Sequence, residues 1–173
     1  MLCPTIQTPR LILREWRESD LDGLAAMHAD PEVTRFLGGK TRTRAESWVN
    51  MASYAGQWLL RGTGLWAVEQ RAGSRFVGRI GILHPEGRPE PELGYSIARA
   101  FWGQRLAYEG AAAALAWYRA QGAPPPVSYI DPANHPSQRV ATRLGAHLEG
   151  TLELHGKPVD AWRHALDAAP PGP

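Results

Sequence analysis

The chain has one cysteine, Cys3, which excludes an internal disulfide and any cysteine-cluster metal site. That scarcity fits a reducing compartment. No apolar run approaches the roughly 18 residues of a membrane span. The N-terminus also lacks the charged-then-apolar pattern of a secretory signal, so a soluble, cytoplasmic protein is expected, with no membrane partner. Charge of one sign is scarce too. The formal net charge is +2 and no Lys/Arg run exceeds two residues, which argues against nucleic-acid binding by a broad basic face. Gly-rich dinucleotide and P-loop patterns are missing, which disfavours a nucleotide-binding α/β protein. What is present is ordinary for a globular chain: 173 residues, 43% hydrophobic and 21% charged, enough to bury one core. With no internal repeat and no linker, residues 1–166 read as a single domain and 167–173 as a disordered tail.

The periodicity alternates between strand and helix. Arg10 to Arg14 is a β-rich run whose charged ends suit a strand near an edge. A helix capped at Ser19-Asp20 follows and stops near Asp30-Pro31, and one more helical turn spans Val33 to Leu37. A long helix runs from Thr43 to about Arg61, with Trp48, Met51, Ala52, Ala55, Trp58 and Leu59 expected on its buried face. Leu65 to Gln70 and Arg75 to His84 are strands around a turn at 71–74, with Gly78 and Gly81 suggesting a bulge or a close approach. After a proline-rich loop come the strand Leu93 to Ala98, a helix from about Gln104 to Gln121 and the short strand Val127 to Ile130. A helix from about Asn134 to Leu144 and a hairpin, His147 to His155 and Val159 to Leu166, complete the order. The pattern gives a mixed α/β sheet of about seven strands with helices on both faces. Because a strand–helix–strand crossover is right-handed, Leu93 to Ala98 should lie beside Val127 to Ile130 in the middle of that sheet.

The stretch 91–122 carries the clearest functional signal. A strand feeds a helix through a turn at Trp102-Gly103, and the helix opens with small and polar residues. Its first N–H groups and the positive end of its dipole would make an anion site.

Four segments in order resemble the GNAT superfamily of N-acetyltransferases and, within it, the RimJ/RimL-like branch. They are Thr8 to Arg14 with Asp20-Leu21, then His28 to Val33, then Glu92 to Tyr95 with Phe101 to Gln104, Ala107 and Glu109, and last Asp131 to Ser137 with Leu144-Gly145. The resemblance covers nearly the whole chain. It implies a single-domain GNAT-like fold with a mixed, mostly antiparallel sheet, acetyl-CoA as donor and an amine as acceptor. The acceptor would be a protein N-terminal α-amine or a small-molecule amine, and the assembly a monomer or homodimer. Residues 20–64 and the final hairpin, the expected acceptor lobe, hold no acidic cluster that would announce a polycationic substrate.

The implied donor site comprises Ile97, Ala98, Trp102, Gly103, Gln104, Arg105, Leu106, Ala107, Asn134, Ser137 and Arg139. Backbone N–H groups near Ile97 and Ala98 would receive the oxyanion if the strand splays from its neighbour. The family pattern has glycine where this chain has Arg105. The arginine either adds a charge-assisted bond to phosphate or crowds the site. Ser137 matches the serine of the family's Asn-x-x-Ser segment and would donate a hydrogen bond to the departing thiolate, while Asn134 would contact the pantetheine arm. Helix capping is the ordinary role of both residue types. Many relatives carry a tyrosine further along this helix, but Val140 to Arg143 offers none. For the base, Glu92, His155 and His84 are the candidates. Glu109 reads as structural or dipole-matching, and most of the seven tryptophans as core. Arg105 and the missing tyrosine leave a second reading, a non-catalytic CoA-binding or sensor module.

Overall fold

The sheet is built from strands whose alternate residues are apolar. In this computed structural model, which describes residues 3–154 and 156–165, eight of them join edge to edge. They are β1 (Ile6–Gln7), β2 (Leu11–Arg14), β3 (Leu65–Gln70), β4 (Arg75–Leu83), β5 (Glu92–Ile97), β6 (Val127–Ile130), β7 (Ala146–Leu154) and β8 (Lys157–His164). Their order is β1-β2-β3-β4-β5-β6-β8-β7. Seven match the expected strands; the eighth, β1, is two residues long and leaves no periodicity to read. Neighbours run antiparallel except β5 and β6, which are parallel, as a helical crossover requires. The expected tail at 167–173 lies outside the described residues.

The crossover is α4 (Leu106–Ala120). It buries Leu106, Ala111, Ala114, Leu115 and Tyr118 on one face of the sheet, against residues that include Leu93 and Ile97 of β5. The other face is covered by α1 (Leu21–Ala29) and α3 (Arg44–Arg61), with α2 (Pro31–Thr34) between them in sequence. Leu24, Met27, Met51 and Tyr54 pack there with Leu65. The last helix, α5 (His135–Arg143), precedes β7.

Several expectations are corrected. Thr43 and Glu46 form a capping box that starts α3, and Gly62, at φ 68°, ends it. Yet the helix buries Ser47, Met51, Tyr54 and Trp58, leaving Trp48 and Leu59 exposed. An apolar count cannot register that Ser47 is drawn inward: its Oγ lies 3.0 Å from Nδ1 of the fully buried His28. Arg14, at the end of a strand that does lie next to the edge, is buried as well. Its guanidinium forks onto both oxygens of Asp20 at 2.8 Å and reaches Glu69 at 2.8 Å. Gly78 and Gly81 mark close approaches, since a Cβ there would meet the backbone oxygens of Ser96 and Gly64 at 2.1 Å. Trp58, Trp66 and Trp117 do form a core cluster, with centroids 4.5–5.5 Å apart.

The feature that positions the site is where β5 and β6 part. Among the described residues they share one paired position, Glu92 with Val127. One residue further on, the Ser128 hydroxyl donates to the Leu93 carbonyl at 2.8 Å, replacing a ladder bond with a side-chain bond. That hydroxyl has one hydrogen, so His164, 2.9 Å away, donates to it from Nε2. Burial, with Arg119 and Arg163 nearby, pulls the His164 pKa down to about 4 and keeps the ring neutral.

Candidate active site

Beyond Glu92, the β6-facing edge of β5 is open. The Ala98 N–H donates to the Val77 carbonyl at 2.8 Å, and ladder alternation therefore turns the Ile97 N–H the other way, into the opening. Of the two amides expected to serve an oxyanion, only that of Ile97 faces the gap; that of Ala98 is held by β4. The Ile97 carbonyl accepts from Trp102 Nε1 at 2.7 Å, which ties the end of the strand to the turn that follows.

That turn brings the chain into α4. Gly103 has φ 76° and Arg105 has φ 60°, ψ 17°, both left-handed. The first intrahelical bond runs from Glu109 N–H to the Arg105 carbonyl, and no side chain caps the helix end. The N–H groups of Leu106 and Ala107 precede that bond and have no acceptor within the helix. Arg10 braces the turn by donating to the Gln104 carbonyl at 2.9 Å and, through Nε, to Glu109 at 2.6 Å. Glu109 also accepts from Thr8 at 2.6 Å, a structural role for that carboxylate.

The facing wall is α5. Asn134 caps it, its Oδ1 accepting from the Ser137 N–H at 3.2 Å, so its ordinary role is realised. The Ser137 hydroxyl donates to the Tyr95 hydroxyl at 2.9 Å, and Tyr95 donates in turn to the Ser137 carbonyl at 3.0 Å. Tyr95 is a site residue that sequence reasoning missed. Its signal was present, because Leu93, Tyr95 and Ile97 alternate onto one face of β5. Burial pushes its phenol up to about 12, so it is a proton donor at neutral pH.

These walls enclose a groove of about 680 Å³. Ile97, Trp102, Gly103, Arg105, Leu106, Ala107, Asn134, Ser137 and Arg139 line it as expected; Ala98 and Gln104 do not. Val33, Arg35 and Phe36, from α2 and the turn after it, line it unexpectedly. Four arginines (35, 105, 139 and 143) and one carboxylate, Glu32, are among its lining residues. The groove is thus lined by more cations than anions, by the Ser137–Tyr95 hydroxyl pair and by the N-terminal residues of α4.

The sequence matches the acetyltransferase (GNAT) domain over residues 10–147. The chain belongs to the GNAT acetyltransferase family. Among curated proteins it is 31% identical to the uncharacterized protein YkkB of Bacillus subtilis, across 88% of this chain and 90% of that one. Among solved structures it is similar to an acetyltransferase from Agrobacterium tumefaciens, with TM-score 0.84 and 27% identity, covering 94% of each chain. RimL, a ribosomal L7/L12 α-N-protein acetyltransferase solved with coenzyme A, shares the fold at TM-score 0.79 and 19% identity, over 96% of this chain and 100% of that one.

As a GNAT N-acetyltransferase the protein uses acetyl-CoA, and the groove fits that molecule on its own evidence. An anionic nucleotide end suits four arginines and the N-terminus of α4. An amide-bearing arm suits the open edge of β5, which offers strand-like donors and acceptors.

Glu92 lies on the opposite face of β5 from Tyr95, at the root of the split. Ser96 shares the face of Glu92 and still lines the groove, so the groove reaches around the free edge of the strand. Burial raises the Glu92 carboxyl to about 7, against the opposing pull of Arg88 and Arg79. Arg88 Nε stands 3.4 Å from Glu92 Oε2, an ion pair without an aligned hydrogen bond. His84 sits in the loop after β4, its backbone N–H donating to Gln57 Oε1 at 3.3 Å. His155 lies outside the described residues. Among the described residues, no helix is long and apolar enough to cross a membrane.

Proposed function

We propose that this protein acetylates a primary amine by direct attack of the neutral amine on the thioester of acetyl-CoA. The observation that carries the reading is the parting of β5 and β6 at Glu92, beside a groove holding the Ile97 N–H, the Ser137–Tyr95 hydroxyl pair and the open end of α4. In this reading the new C–N bond forms as the C–S bond breaks. Glu92 takes the proton from nitrogen, Ile97 N–H receives the developing oxyanion, and the Ser137 hydroxyl turns to donate to the departing sulfur. The phenol of Tyr95, protonated to about 12, orients that hydroxyl.

The carboxyl of Glu92 also bears on the kind of amine. With its pKa near 7, taking a proton from an α-amine of pKa about 8 is uphill by about 1.4 kcal/mol. For a lysine at about 10.4 the same transfer costs about 4.6 kcal/mol. A low-pKa amine is favoured, whether a protein N-terminus, as the RimL name specifies for that protein, or a small molecule.

The test is coenzyme A release across a panel of α-amines, alkylamines and lysine side chains, for the wild type and Glu92→Gln. The wild-type kcat/KM should climb through about pH 7 as Glu92 ionises, and the variant should lose that limb with a fall on the order of a hundredfold. An unchanged profile in the variant would remove Glu92 from the chemistry. Tight acetyl-CoA binding with no turnover of any amine would favour a non-catalytic CoA-binding module.

A further inference from the structure

The face of the sheet that carries Glu92 also holds charged groups that the transfer reaction does not use. Arg79 of β4 sits opposite Ser96 of β5, so its side chain leaves the sheet on the same side as Glu92. Its guanidinium lies over the Tyr54 ring at 4.9 Å, and that of Arg88 lies over Tyr129 at 5.8 Å. Stacking fixes the plane of each guanidinium and leaves the hydrogen-bonding edge available. Arg79 Nε, Arg88 Nη1 and Glu92 Oε2 are all buried and have no hydrogen-bond partner.

Arg79 acts through charge on two neighbours without bonding to either. It opposes the raised carboxyl of Glu92, and on the other side it adds to the burial that pulls His28 down to about 4. Arg42, whose Nη1 is likewise buried and unpartnered, also acts on His28. Arg79 and Arg88 therefore both act on the one carboxylate of Glu92, and the nearby Glu90 is already taken by Arg163 at 2.5 and 2.8 Å. Buried atoms of charged groups are almost always paired in folded proteins, because leaving one unpaired forfeits its hydration with nothing in return. Several such atoms on one face, beside the group that would receive the acceptor's proton, describe a place meant for a partner that brings its own oxyanion.

We infer that Arg79, seconded by Arg88, is an acceptor-binding subsite, and that the acceptor is a small amine carrying a carboxylate or phosphate group. The amine is directed to Glu92 while its anionic group meets the edge of the Arg79 guanidinium. This rests on the amine-transfer reading above and narrows it. The absence of an acidic cluster around the acceptor lobe agrees with it, because such a surface does not select a polycation.

Matched acceptors that differ only in the anion provide the test: free amino acids against their carboxamides, and 2-aminoethyl phosphate against 2-aminoethanol. Coenzyme A release gives the kcat/KM ratio within each pair, and calorimetric titration of the same compounds into the CoA-loaded protein gives the binding ratio. The anionic member of at least one pair should be favoured at least tenfold, mostly in KM, and which pair shows it separates carboxylate from phosphate. Arg79→Gln should collapse that ratio to within about threefold, and Arg79→Lys should restore part of it. The lysine variant and a thermal melt guard against mere loss of fold. Equal treatment of both members by the wild type overturns the subsite, as does an equal loss on both in Arg79→Gln. If amines turn over without discrimination, the transfer reading stands and the subsite falls. If the anionic members bind selectively through Arg79 but none turns over, the subsite stands and the transfer reading falls.

Discussion

Arg105→Gly should stabilise this protein while removing a charge from the groove it lines. Arg105 holds φ 60°, ψ 17° at the N-cap of α4, a left-handed conformation that costs a non-glycine residue about 1–2 kcal/mol. Glycine removes that cost but gives back about 0.5–1 kcal/mol through the greater freedom of the unfolded chain. The net gain is about 0.5–1 kcal/mol, which in a domain of this size raises Tm by about 1–4 °C. Arg105→Ala is the control, because it removes the same guanidinium and keeps the same backbone cost. Differential scanning fluorimetry without ligand should place Arg105→Gly above the wild type and Arg105→Ala at or below it. Equal melting of the two variants would refute the strain argument. Isothermal titration with acetyl-CoA then addresses the side chain. Helix-end N–H groups bind anions through backbone, so Arg105→Gly should stay within about threefold of wild-type affinity. A loss beyond about tenfold would assign the guanidinium to a phosphate.

Ser137→Ala should lower kcat by about tenfold to a hundredfold with acetyl-CoA affinity nearly intact. Tyr95→Phe should lose less, since it removes only the partner that orients the serine; unchanged turnover in Ser137→Ala would take that hydroxyl out of the reaction. Stability should depend on pH through His28 and His164, both fully buried and both pulled to about 4 from 6.5. The unfolded chain binds their protons first, so the stability they contribute is complete above about pH 6.5 and drains as pH falls towards 4, by at most about 3 kcal/mol each. Glu92 acts in the opposite sense. Raised to about 7, it binds its proton first in the folded state and adds stability as pH falls from 7 to 4.5. Melting temperatures between pH 8 and 5 should therefore fall below about pH 6.5, and more steeply in Glu92→Gln. A flat profile in both would contradict the burial argument.

Local sequence determined the elements and the strand–turn–helix that lines one side of the groove. Alternation in β3 to β6, the capping residues Thr43 and Gly62, and the strand–turn–helix at 92–120 are set by nearest neighbours, so they were legible without coordinates. The helix start at Asn134 was legible too, and Asn134 does cap Ser137 N–H. Tertiary structure decided everything that depends on which distant atoms meet. Whether β5 splays was open in the sequence; it is decided by Ser128 reaching across to the Leu93 carbonyl, with His164 behind it. The Ser137 hydroxyl finds its partner in Tyr95, 42 residues earlier, a contact that no local pattern in α5 encodes. The buried face of α3 turned towards Ser47 because His28 waits inside, a polar contact that an apolar pattern cannot encode. Arg105 shows both limits at once. The family resemblance expected glycine at its place, and only the fold revealed that the place is a left-handed one, where the backbone rather than the side chain is under strain.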